Sequence, residues 1–131
     1  MKEVLRVTVT LGKILRVDGT SRSACMIPFS GVAQGPWFQG TILPGGIDTQ
    51  TLAQGKMLSM SARYMLEGKD DRGKPCRLFI ENNGTEEADG SIHTKPVIIT
   101  DSASLSWMES ANLYGTVEGT EENVIIHIFQ D

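Results

Sequence analysis

Between Val4 and Leu11 the chain alternates without a break: Leu5, Val7, Val9 and Leu11 fall on one side, Arg6, Thr8 and Thr10 on the other. A period of two marks a half-buried strand, because successive side chains of an extended backbone point to opposite faces. The pattern returns in Leu58–Leu66, where Leu58, Met60, Ala62, Tyr64 and Leu66 oppose Ser59, Ser61, Arg63 and Met65. It returns again in Cys76–Asn83, where Cys76, Leu78, Ile80 and Asn82 oppose Arg77, Phe79, Glu81 and Asn83. Only SASLSWMESA spaces its apolar residues for a helix, with Leu105 and Met108 three apart and Asp101 or Ser102 able to cap the start. Turn signals punctuate the rest at Asp18-Gly19, Gln34-Gly35-Pro36, Pro44-Gly45-Gly46, the polar link between Leu66 and Cys76, Asn82-Asn83-Gly84 and EGTEEN. That spacing, roughly 8–12 residues, belongs to all-β barrels and sandwiches. The expectation is an all-β fold: one antiparallel β-barrel domain over residues 1–131, with about eight or more strands and at most one short helix.

The charge balance narrows the partners. Twelve Lys and Arg against sixteen Asp and Glu give −4, and no basic run interrupts the chain. A binder of nucleic-acid backbone needs clustered positive charge, so nucleic acid is not expected. No apolar run approaches the ~20 residues of a membrane helix, and the amino terminus lacks the apolar centre and cleavage site of a signal peptide. Cys25 and Cys76 are too few for a disulfide framework and too isolated for a zinc site. His93 and His127 stand far apart without a ligand at metal spacing, so neither metal nor cofactor is expected. These features point to a cytoplasmic protein. Imperfect strand edges at Pro28 and Pro96, and apolar residues on both faces of Asn123–Phe129, lead us to expect a homo-oligomer.

The stretch Ile27–Leu66 concentrates the candidate site. Pro44-Gly45-Gly46 reads as a tight turn, with positive φ at one or both glycines, and Asp48 follows it directly. Arg63 is the sole charge inside its strand, and a hairpin with Cys76–Asn83 brings it near Glu81. Two readings stay open. Arg63 and Glu81 form a surface cross-strand pair, worth little; or Arg63 lines a cavity and its planar fork holds a ligand oxygen, with Asp48 or Glu81 as partner. Gln39, Trp37 and Asn83 complete the candidate ligand-binding set. No nucleophile elbow, phosphate loop or zincin motif is present.

The order Ile27-Pro28, Gly31, Gly35-Pro36, Gly40, Ile42-Leu43-Pro44-Gly45-Gly46 with Asp48, Ala62-Arg63-Tyr64 and Asn83-Gly84 resembles the domain of unknown function family numbered 3237. The resemblance implies a small antiparallel barrel with a central pocket, often self-associating, in a family with some members linked to cofactor-free ring closure. Two positions depart from its pattern: Thr49 stands where Trp is common, and Ser61 where Asp is common. The change at Ser61 removes a carboxylate that could serve as a base or as a partner for Arg63. The leading expectation is therefore a small-molecule binder that takes an oxygenated apolar ligand in the barrel. The alternatives are a cofactor-free cyclase or isomerase, in which Asp48 or Glu81 moves a proton, and an oligomeric structural module with a filled barrel.

Overall fold

A computed structural model describes residues 1–131. Ten strands run in the order β1 (Lys2–Leu11), β2 (Leu15–Asp18), β3 (Arg22–Gln34), β4 (Phe38–Ile42), β5 (Ile47–Ala53), β6 (Ser59–Asp70), β7 (Pro75–Glu86), β8 (Ile92–Thr100), β9 (Leu113–Gly119) and β10 (Val124–Gln130). A 3-10 helix, Ala103–Glu109, lies between β8 and β9. Every pairing is antiparallel, and β1 closes the sheet onto β3. No helix is long and apolar enough to cross a membrane.

The barrel has eight staves because two pairs of strands each share one line. β4 and β5 both lie between β3 and β6: Ile42 pairs with Leu66 and Ile47 with Arg63. Four residues, 43–46, therefore face the two that separate those partners on β6, and the chain bulges without reversing. Pro44-Gly45-Gly46, expected as a turn between strands, is that bulge. Only Gly45 has positive φ, 109°. Gly46 is there for space: a Cβ would sit 3.1 Å from the Phe29 carbonyl oxygen and 3.3 Å from Tyr64 Cβ. Likewise β2 continues β1 along β3, with Leu11 opposite Phe29 and Leu15 opposite Met26. Pro28, which has no N–H for a ladder, sits at the join and accepts a bond from the Gly12 N–H at 2.7 Å. Beyond the join β2 projects past the barrel, with no strand on its other side.

The turn expected at Asn82-Asn83-Gly84 does not form. β7 runs on to Glu86, and the reversal comes at Glu87–Gly90. Gly84 is needed instead for close packing, since a Cβ there would collide with the His93 carbonyl on β8.

One end of the barrel is plugged and the other is not. Leu105 and Met108 of the 3-10 helix enter the core together with Leu5, Phe38, Leu66, Leu78 and Ile128, all nearly inaccessible. β8 can admit this plug because it pairs with β9 only through His93 and Thr94, before Pro96. Trp107 packs edge-on against Trp37 at the plugged end. Asp70, at the β6–β7 turn, accepts bonds from Ser102 Oγ (2.7 Å) and from the N–H groups of Arg72 and Lys74. Those contacts hold its carboxyl below the usual range and tie the turn to the plug. The opposite end, ringed by the turns after β2, β5, β7 and β9, lacks such a closure.

Candidate functional site

Alternation decides which side chains face inward at the open end. On β6 the inward row is Met60, Ala62, Tyr64 and Leu66; on β7 it is Cys76, Leu78, Ile80 and Asn82. The β5 and β8 rows add Asp48, Gln50 and Thr94. Asp48, Ala62 and Asn82 stand side by side across three adjacent strands. Ala62 is the smallest of the three, and the hollow it leaves is part of a cavity of about 180 Å³. Ten of its fourteen lining residues are hydrophobic, among them Phe29, Met60 and Ile126. The polar remainder is Asp48, Gln50, Asn82 and Thr94, with no Lys, Arg or His.

Three of these four groups are incompletely satisfied. Gln50 Nε2 donates to Asp48 Oδ2 at 2.9 Å, and Cys25 Sγ approaches Gln50 Oε1 at 3.8 Å. Asp48 Oδ1, Asn82 Oδ1 and Thr94 Oγ1 are buried without any protein partner. Asn82 is 4% exposed and Thr94 6%. Burial pushes the Asp48 carboxyl above its usual range, and the Gln50 bond only partly offsets this. Tyr64, packed edge-on to Phe29 at 5.2 Å, also buries a hydroxyl with no partner, and burial drives its pKa upward.

The six expected ligand-binding residues do not converge. Asp48 alone lines this cavity. Arg63 pairs with Glu81 in the expected register, but on the outer face: Nε donates to Glu81 Oε2 at 2.8 Å from a side chain 66% exposed. The expected placement of Arg63 beside Asp48 in one pocket is thus corrected, because inward parity on β6 belongs to Ala62 and Tyr64. Asn83 joins the same outer network, donating to Glu81 Oε1 and accepting from Ser61. Its bond, followed by the Arg63 charge, lowers the Glu81 pKa. Trp37 and Gln39 line a separate groove of about 680 Å³ at the plugged end, shared with Asp70 and Asp71. Larger as it is, that groove lies open to water and holds no unpartnered buried atom, so the smaller cavity is the stronger candidate.

Gln50, Asn82 and Thr94 escaped the sequence reading. Their signal was present in one case: Asn82 ends the otherwise apolar row Cys76, Leu78, Ile80.

The chain resembles several known proteins. It is 34% identical over 86 residues to a UPF0311 protein of Clostridium acetobutylicum; the match spans 63% of this chain and about half, 52%, of that relative. A solved structure of a protein of unknown function from the same organism superposes with a TM-score of 0.82 at 28% identity, covering 98% of this chain and 96% of the other. The structure of an enzyme from Penicillium herquei superposes with a TM-score of 0.72, covering 98% and 92%; at 16% identity this is a likeness of fold. A family model described as protein of unknown function, DUF3237, matches residues 1–130, and the chain belongs to that family.

Proposed function

We propose that the open end of the barrel binds one small, largely apolar molecule, oriented by Asp48, Asn82 and Thr94. The observation that carries this reading is that three buried, unpartnered polar atoms belong to residues lining one apolar cavity. Each such atom costs about 1–3 kcal/mol when left unsatisfied, a cost that an occupant with matching polar groups removes. The size suits a single ring, since an apolar cavity of about 150 Å³ is known to hold benzene. Titration with benzyl alcohol, followed by backbone amide shifts, tests it. Shifts centred on Gln50, Ala62, Asn82 and Thr94 are expected; shifts centred on the groove at Trp37 and Gln39 refute it.

A second reading is favoured by Asp48 itself. A working acid or base is pushed toward neutrality, whereas a carboxylate paired with Arg is pushed down. Asp48 moves up and Glu81 moves down, so Asp48 is the one suited to move a proton. Gln50 fixes Oδ2 and leaves Oδ1 to take a proton from one atom of a bound molecule and return it to another, as an isomerase or cyclase requires. Deuterium uptake at the α-carbon of an enolisable aryl ketone should be faster with the protein than without, and Asp48→Asn should abolish the gain. Equal uptake with the variant removes this reading.

A further inference from the structure

The cavity's fully buried unpartnered atoms share a property that its shape does not explain: at Asp48 Oδ1, Asn82 Oδ1 and Thr94 Oγ1 all three are oxygens. An amide oxygen only accepts, an ionised carboxylate only accepts, and a hydroxyl accepts as readily as it donates. The lining contains one carboxyl group and no cationic side chain to balance it. The matching ligand group is therefore rich in N–H or O–H donors and carries positive charge. From this geometry we infer that the ligand class is a primary amine: an ammonium group among Asp48, Asn82 and Thr94, with a small apolar body against Phe29, Met60 and Ile126. The inference rests on the binding-cavity reading above and names the chemistry of its occupant.

The rim supplies an independent observation. The turns after β7 and β9 border the cavity beside the lining residues Ile92, Val117 and Val124. They carry Glu87, Asp89, Glu121 and Glu122, and Glu86 ends β7 just before the first of them. Glu86 lies opposite Ile92 and has the inward parity of Asn82. None of these five is in a salt bridge, and no Lys or Arg occurs between Arg77 and Lys95. The opposite lip carries Lys13, Arg22 and Lys56, with Arg16 held by Asp18. A cation is thus drawn to the lip nearest Asn82 and Thr94, whereas an anion meets repulsion there and no counter-charge within.

Three probes of nearly equal size separate the possibilities: benzylamine, benzyl alcohol and benzoate, titrated near neutral pH at low ionic strength. Hydrogen bonds to charged groups contribute enough that benzylamine should bind roughly tenfold or more tightly than benzyl alcohol, with benzoate weakest. Asp48→Asn should collapse the preference for the amine. Asn82→Leu, which extends the apolar row of β7 and so should keep the fold, should weaken benzylamine more than it weakens benzyl alcohol. Glu121→Gln with Glu122→Gln should slow benzylamine association and reduce its salt dependence. Benzyl alcohol binding as tightly as benzylamine, or an Asp48→Asn protein that keeps the full preference, overturns the amine inference and leaves the cavity reading standing. No shift at Asn82 or Thr94 with any probe overturns both.

Discussion

Ala62→Val tests the cavity most directly, because Ala62 lies between Asp48 and Asn82 and its small side chain creates the hollow. Valine adds two carbons to an inward position already packed against the core. At ~0.8 kcal/mol for each buried carbon, the gain is about 1.6 kcal/mol before the cost of fixing the side chain. Restricting its rotamers takes back about 0.5 kcal/mol, which leaves about 1 kcal/mol of added stability. For a chain of this length that corresponds to a rise of roughly 3–5 °C in Tm. The same carbons block the approach to Asn82, so benzyl alcohol binding should fall below detection. Calorimetry and amide-shift titration on one preparation measure both. A variant that loses 1 kcal/mol or more would show that the interior at Ala62 is already filled, and the cavity argument would fail with it.

Four further outcomes follow from the same fold. Gly68→Ala should cost about 3 kcal/mol in chemical denaturation, because a Cβ would press into the Gln39 carbonyl and Gly40 across the β4–β6 ladder; a loss within error refutes that tight approach. Arg63→Met should leave both Tm and probe affinity unchanged, the pair with Glu81 being exposed; lost binding would return Arg63 to the site. His127 has its pKa raised by bonds to Glu118 (3.0 Å) and Glu3 (2.5 Å), so the stability it contributes is complete below about pH 6.5 and lost as pH rises through its folded value. Tm of the wild type should fall over that range relative to His127→Gln; parallel profiles refute it. Self-association through the unpaired edge of β2, with Leu15, Val17 and Met26 exposed beside it, should appear in light scattering at micromolar concentration; a monomer counts against it.

Strand identity was legible because it depends on local alternation, and so was the pairing of Arg63 with Glu81, which follows from the hairpin between β6 and β7. The sharing of a stave was not. Pro44-Gly45-Gly46 has the composition of a reversing turn, yet whether four residues reverse the chain or bulge depends on neighbours far away in sequence, here β3 and β6. The site was misread for a related reason. Polar residues on β6 and β7 were weighed as a possible lining, whereas closure of the barrel turned Arg63, Glu81 and Asn83 outward. Closure sets parity for every strand at once, and no single strand reports it.

That division also explains why a barrel this small can keep a hollow. Packing is concentrated at the end where Leu105 and Met108 enter, and Asp70 fastens the β6–β7 turn to the same plug. The rows then change character along their length: Leu66 and Tyr64 give way to Ala62 on β6, Leu78 and Ile80 to Asn82 on β7, and Ile98 and Pro96 to Thr94 on β8. Ala62 and Asn82 lie directly opposite each other, and Thr94 follows one step nearer the open end, opposite Gly84, at positions where an apolar side chain of ordinary size would have added stability. A filled structural module gains nothing from that arrangement, because each buried unpartnered atom weakens the fold. A binding site does gain, since the same atoms are the ones that an occupant satisfies. The grouping of Ala62, Asn82 and Thr94 at the open end is therefore the arrangement that the proposed ligand site requires and a filled barrel does not.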